Sequence, residues 1–191
     1  MTRMAVFASG SGTNAERIIR HFSNNARGRV ICVLTNNPKA GVIDRSRKCG
    51  IECFVFTKAD LLDSQVVQDK LQELNIDFII LAGFLLLIPK SILAEYEGRI
   101  VNIHPALLPL HGGKGFYGTR VHESVIASKA IMSGITIHHV NEKFDAGEII
   151  FQAGCHITHH ETADSLADKI HLLEYSYYPI VIEKLLSGRH D

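Results

Sequence analysis

Short apolar runs alternate along this chain with amphipathic stretches, and that alternation restricts the fold more than any other feature. Runs at residues 4–9, 30–34, 52–56, 78–82, 100–104, 134–140 and 149–157 read as strands. Helices are predicted over 15–22, through a stretch that Gly50 stops after Cys49, through a stretch capped by Asp63 or Ser64 and ending near Leu74, and over 163–186. The last carries Leu166, Ile170, Leu173, Tyr177 and Ile180 at spacings of three and four, with Pro179 expected to kink or break it. Strands alternating with helices define a single-domain, Rossmann-like α/β fold: a mostly parallel twisted sheet with helices on both faces. The 191 residues are enough for one domain, and 46% hydrophobic content supplies its core.

Composition removes several classes of function. Lys and Arg total 20 against 20 Asp and Glu, so no net charge recruits nucleic acid or an anionic membrane. The longest apolar stretch, residues 78–88, falls short of the roughly 20 residues that cross a bilayer. Residues 1–9 run into a strand without a leader pattern, which predicts a cytoplasmic protein. Cys32, Cys49, Cys53 and Cys155 form no CxxC pair and read as free, buried thiols. None of the 11 histidines has a spacing that gathers ligands on one helix face, so no metal is expected. His138 and His139 fall on a strand and point to opposite faces, while His159 and His160 sit in a polar turn.

Ligands of such a sheet bind beyond the carboxyl ends of its strands. The first of these ends reads Ser9-Gly10-Ser11-Gly12-Thr13-Asn14. Its glycines permit a tight turn and close approach to a ligand, and the helix that follows offers free N–H groups to an anion. Thr13 with Glu16 fits a capping box. Gly10, Gly12 and Ala15 also satisfy a relaxed dinucleotide fingerprint, but Thr35-Asn36-Asn37 stands where its acidic residue belongs. A single phosphate group is therefore favoured over a dinucleotide.

Residues 81–89, Leu-Ala-Gly-Phe-Leu-Leu-Leu-Ile-Pro, form either core or an apolar slot for a flat aromatic ligand. In Val101-Asn102-Ile103-His104-Pro105, alternation puts Asn102 and His104 on one side and Val101 and Ile103 in the core. An asparagine amide can donate to a developing oxyanion, and a histidine can move a proton near neutral pH. Asn141-Glu142-Lys143-Phe144-Asp145-Ala146-Gly147 follows the next strand. A carboxylate at Asp145 within reach of His104 would favour the charged imidazolium and fix the ring.

Together these segments give the chain a family likeness. Ser9 to Asn14, Leu81-Ala82-Gly83-Phe84, Asn102-Ile103-His104-Pro105-Ala106-Leu107-Leu108-Pro109, Phe144-Asp145-Ala146-Gly147, and Glu174 with Tyr178-Pro179 resemble the glycinamide ribonucleotide formyltransferases over nearly the whole length. The Asn-x-His-Pro run marks the wider folate-dependent formyltransferase superfamily. The Ser-Gly-x-Gly start narrows the likeness to this branch and to formyltetrahydrofolate hydrolases.

The resemblance implies one formyltransferase domain, its amino-terminal half binding a nucleotide phosphate and its carboxy-terminal half binding folate. It implies transfer of a formyl group from 10-formyltetrahydrofolate, as co-substrate, to the glycyl amine of phosphoribosylglycinamide in purine synthesis. By this likeness Gly12, Thr13 and Asn14 hold the phosphate, and Gly83, His171 and Glu174 the rest of the amine substrate. Leu85, Leu86, Leu87 and Ile88 frame the folate, with Asn102 and the loop Asn141, Glu142, Lys143, Phe144 and Asp145. Asn102, His104 and Asp145 map onto the catalytic trio. Amine attack on a formyl carbon builds negative charge on oxygen, which Asn102 and a protonated His104 would stabilise. Asp145 would keep His104 charged and help move a proton from the amine to the leaving nitrogen. No step needs a metal, nucleic acid or a membrane; the oligomeric state stays open, with a homodimer as the candidate assembly.

Leu86 and Gln65 stand where many family members carry basic residues associated with the folate's glutamate tail, and Leu110 to Gly118 replaces a shorter segment. Lys114 in that stretch is expected to compensate. Among the rivals, methionyl-tRNA formyltransferases normally add a tRNA-gripping domain. The hydrolases use the same trio on water and usually add a regulatory domain. A binding module without enzymatic activity would not need Asn102 and His104 aimed together at Asp145.

Overall fold

Residues 1–188 are described in a computed structural model of the chain. The strands are β1 (Thr2–Phe7), β2 (Gly28–Thr35), β3 (Glu52–Val55), β4 (Phe78–Leu81), β5 (Ile100–His104), β6 (Met132–His139) and β7 (Ile149–His156). They make one seven-stranded sheet in the order β3-β2-β1-β4-β5-β6-β7. Strands β1 to β5 run parallel, whereas β6 is antiparallel to β5 and β7 to β6. The order reverses between β1 and β4, opening a crevice at their carboxyl ends, the usual ligand position in an open α/β sheet.

Seven helices are described: α1 (Thr13–His21), α2 (Val42–Lys48), α3 (Lys58–Leu62), α4 (Val66–Glu73), α5 (Lys90–Glu95), α6 (Thr119–Ala127) and α7 (Ala163–Ser187). Ile18, Val42, Val121 and Leu166, from α1, α2, α6 and α7, share a core with Met4, Val6, Phe78, Ile80, Val101 and Ile103. Leu61, Val67 and Ile92, from α3, α4 and α5, share the opposite core with Ala5, Phe7, Ile79, Leu81 and Ile100. Successive strand residues thus feed two cores, which is why these strands read as continuous apolar runs. Helices α3, α5 and α6 are absent from the sequence expectation. The first two are single short pieces, and in α6 the buried positions Val121, His122 and Val125 include a histidine, which interrupts the apolar stripe.

Two helix starts differ from expectation. The Thr13–Glu16 capping box does not form: α1 begins after Gly12, whose φ is 77°, and its first turn has no side-chain cap. Glu16 instead accepts from Arg20 and Arg45, so the first-turn N–H groups keep no side-chain partner of that kind. A Cβ on Gly12 would lie 2.5 Å from the Val42 side chain, so both backbone angle and space demand glycine. Asp63 ends α3 rather than capping a helix, and α4 starts after Gln65 without a side-chain cap. The capping box nearby belongs to Thr57 and Asp60.

The long helix differs in phase. Its buried residues are Leu166, Ile170, Glu174, Tyr178, Ile182 and Leu186, with Pro179 and Val181. Leu173 is partly buried, but Tyr177 and Ile180 are exposed. The true stripe steps by four residues straight through a glutamate. Nor does Pro179 break the helix, which continues to Ser187; packing of both flanking turns carries it past one missing donor. The Tyr178 hydroxyl donates to the Leu81 carbonyl at 2.9 Å, with the Val101 carbonyl at 3.3 Å. It ties α7 to the ends of β4 and β5. We expect Tyr178→Phe to leave these buried acceptors short of a donor and to cost about 1–2 kcal/mol in denaturant unfolding; an unchanged midpoint would contradict that role.

Candidate active site

The turn after β1 is fixed by one buried serine. Ser9 Oγ donates to Asn36 Oδ1 at 2.7 Å and accepts from Leu85 N–H at 3.1 Å. Its N–H donates to the Gly83 carbonyl at 3.0 Å, and its carbonyl accepts from Asn37 Nδ2 at 3.2 Å. The loops after β1, β2 and β4 are thus locked together. Asn36 and Asn37, at the place where a dinucleotide fold would hold its ribose-binding acid, brace the loops instead. Asn14, at the start of α1, donates from Nδ2 to Glu174 Oε2 on α7 at 2.8 Å. Burial pushes the Glu174 carboxyl above its usual range, against the opposing pull of Asn14.

The second cluster stands at the end of β5. Antiparallel register pairs Asn102 with His138 and His104 with Thr136, so all four share one face. Beyond Ile100 the second core gives way to these polar groups. Asn102 Nδ2 lies 3.1 Å from His138 Nε2, and His138 Nδ1 lies 2.8 Å from the His139 carbonyl. A carbonyl only accepts, so Nδ1 carries the proton and Nε2 takes the amide N–H of Asn102. His138 therefore orients the Asn102 amide, a task the sequence reading did not give it. Thr136 Oγ1 donates to the Ala106 carbonyl at 2.7 Å and accepts from Leu108 N–H at 3.0 Å, anchoring the segment after β5.

Asp145 reaches this cluster from the loop joining β6 and β7. Its φ of 52° is left-handed, a conformation aspartate tolerates better than most residues. Two residues on, Gly147 packs so closely that a Cβ would stand 1.6 Å from the His139 carbonyl oxygen, so only glycine lets the loop approach β6. Asp145 Oδ2 accepts from Gly113 N–H at 2.9 Å and faces His104 Nδ1 at 3.4 Å. Oδ1 lies 3.5 Å from Asn102 Nδ2 and 3.7 Å from His138 Nε2. His104 Nε2 donates to the His111 carbonyl at 2.8 Å. The segment after β5 therefore already engages both His104 and Asp145.

Charge states follow from these contacts. Burial pushes the Asp145 carboxyl up, but the Gly113 N–H and the polar groups around it hold it below its usual value. His104 departs from expectation. Burial lowers its pKa, and the opposing pulls of Asp145 and the His111 carbonyl do not make up the difference. At 3.4 Å the carboxylate is beyond a good hydrogen bond, so Asp145 does not keep the ring charged here. A proton on Nε2, donated to His111, fits the neutral form.

A cleft of about 650 Å³ joins the two clusters. Gly12, Thr13 and Asn14 line one end, with Gly83, His171 and Glu174 beside them. Asn102, His104, Phe144, Asp145 and Leu85 line the other. Lys114 and Arg120 add positive charge to the wall. The remaining predicted folate residues lie outside this lining. Leu86 and Ile88 pack against the second core, and Leu87 is exposed. The Asn141 side chain braces its own turn through Lys143 N–H and the Ala146 carbonyl, and Glu142 pairs with Lys90 at 2.9 Å. No helix is long and apolar enough to cross a membrane, and no group of three His, Cys, Asp or Glu could hold a metal, among the described residues.

With a doubly wound sheet, a cleft at its switch point and an Asn, His and Asp cluster at one end of that cleft, the chain belongs to the formyl transferase family, which matches residues 2–182. Within that family it is 38% identical to the chloroplastic phosphoribosylglycinamide formyltransferase of Arabidopsis thaliana, over 98% of this chain and 66% of that one. It is 35% identical to phosphoribosylglycinamide formyltransferase of Bacillus subtilis strain 168, over 97% and 95% of the two chains. The crystal structure of phosphoribosylglycinamide formyltransferase from Bacillus halodurans superposes with a TM-score of 0.87 at 38% identity, covering 97% of this chain and 96% of that one. This chain therefore spans about two thirds of the plant relative and nearly all of the bacterial ones.

One further histidine lines the cleft, which sequence reasoning missed because α6 was not foreseen. Burial drives the His122 imidazole down to about 4, with His171 and His104 adding to the shift. Between about pH 6.5 and 4 the unfolded chain takes up a proton that the folded chain refuses, so stability is kept above that window and falls as pH drops through it. We expect His122→Gln to lose about 1–2 kcal/mol less than the parent between pH 7 and pH 5 in denaturant unfolding. Parallel losses in the two proteins would contradict it.

Proposed function

We propose that the chain transfers a formyl group from 10-formyltetrahydrofolate to the glycyl amine of phosphoribosylglycinamide, a step of purine biosynthesis. The observation that carries this reading is the meeting of Asn102, His104 and Asp145 in one cleft with an uncapped helix start. That start, at Gly12, Thr13 and Asn14, offers N–H groups and a positive dipole end to a phosphate. Gly83, His171 and Glu174 take the ribose and glycinamide. The amino-terminal half thus serves the phosphate and the carboxy-terminal half the folate. Four free cysteines suit a reducing, cytoplasmic setting.

The folate fits the opposite end of the cleft. Leu85, 45% exposed, and Phe144 supply apolar surface for a flat ring, with Leu86, Leu87, Ile88, Asn141, Glu142 and Lys143 as its surround. Lys114 meets the carboxylates of the glutamate tail, in place of basic residues at positions 65 and 86. When bound, the co-substrate supplies an acyl carbon already activated by its nitrogen. Asn102 and the Nε2–H of His104 then donate to the acyl oxygen as negative charge gathers there, the His111 carbonyl giving up its bond. A neutral imidazole is sufficient for this, as an N–H donor. Asp145, held ionised, receives the amine proton through water and passes it to the leaving nitrogen.

The test is deformylation of 10-formyl-5,8-dideazafolate with and without phosphoribosylglycinamide. Amine-dependent turnover is expected, falling roughly 10²–10³-fold in Asn102→Ala and at least as far in His104→Ala. Turnover without the amine would replace this reading with hydrolysis, and no turnover in either case would remove it.

A further inference from the structure

Helix α6 brings to the cleft a histidine for which the mechanism above has no use. His122 is 4% exposed and lines the cleft, and its Nδ1 is buried with no hydrogen-bond partner among the described residues. Buried polar groups in folded proteins are nearly always paired, so an unpartnered ring on a cleft wall points to a polar group that a ligand could bring. The titratable groups that act on the ring are His104, at the end of β5, and His171, on α7. His171 is one helical turn from Glu174, whose carboxylate is held by Asn14. His122 therefore stands between the acyl-transfer end and the phosphate end, where the middle of an extended substrate must lie.

The chemistry of that middle follows from the ring. No carboxylate pairs with His122 among the described residues, and both neighbours that act on it are themselves histidines. It stays uncharged, with one nitrogen that donates and one that accepts. Phosphate and carboxylate oxygens only accept, so they would pair with the donor nitrogen alone and leave the other without a partner. A hydroxyl both gives and takes a hydrogen bond, and so matches either nitrogen.

We propose that His122 is a binding residue for the amine substrate, hydrogen-bonded to a hydroxyl of its sugar. This rests on the phosphoribosylglycinamide reading and adds to it a contact from α6. His122 recognises rather than reacts, so its loss appears in the affinity for one substrate and not in the chemical step.

The experiment compares the parent with His122→Ala and His122→Gln in the formyl-transfer assay. KM for phosphoribosylglycinamide should rise about tenfold in His122→Ala, the size of one hydrogen bond. kcat and the KM for 10-formyl-5,8-dideazafolate should stay within about twofold, and His122→Gln should recover part of the loss. On an analogue with hydrogen in place of the sugar hydroxyls, the parent and His122→Ala should perform alike. An unchanged amine KM, a parallel rise in the folate KM, or the same tenfold gap on the analogue would each overturn the proposal. If the parent shows no amine-dependent turnover, the functional reading itself has failed. Calorimetric titration with ribose 5-phosphate then decides on His122 separately: weaker binding by His122→Ala supports the hydroxyl contact, and equal binding ends it.

Discussion

The Asp145 carboxylate is the contact on which the rest of the site depends. It accepts from the Gly113 N–H and faces His104, Asn102 and His138, groups from three parts of the chain. A buried carboxylate without donors would give up its charge, and the Gly113 N–H helps hold this one below its usual value. In return it gathers β5, β6 and the segment after β5 at one point. The backbone is shaped to deliver it, through a left-handed φ at Asp145 and the close passage of Gly147 over the end of β6.

The two ends of the cleft are assembled by different physics. At the α1 end, backbone does the organising: an uncapped helix start, a left-handed Gly12, and Ser9 stitching together the loops after β1, β2 and β4. At the β5 end, side chains at the sheet's polar margin do it. Asn102 is aimed by His138, and His104 is held between Asp145 and the His111 carbonyl. Tyr178 joins the ends by fastening α7, and with it Glu174, to the carbonyls of β4 and β5. The position of Glu174 is thereby coupled to the strand that carries Asn102 and His104.

Much of this was legible in the sequence. All seven strands, the parallel core of the sheet and the pairing of Asn102 with His104 on one side follow from apolar runs and period-two alternation. What stayed hidden depends on long-range register. A strand, a helix and another strand normally imply a parallel crossover, yet β6 returns antiparallel to β5, and only that register places His138 beside Asn102. On α7 the sequence reading chose an apolar stripe that avoided Glu174, whereas the buried stripe passes through it, because Asn14 supplies the partner that lets a carboxylate sit there. His122 was obscured in the same way: a polar residue on a buried helical face disguises the helix. In each case the residue that breaks the local pattern lines the cleft or orders a group that does.

The balance between burial and Asp145 at His104 is the claim most directly open to measurement. It can be read from the imidazole resonances of His104, titrated by NMR in the parent protein and in Asp145→Asn. With burial dominant and the carboxylate opposing it, His104 should titrate below its ordinary value of about 6.5, and lower still in Asp145→Asn. A midpoint above that value in the parent, or one that Asp145→Asn leaves unmoved, would contradict the account.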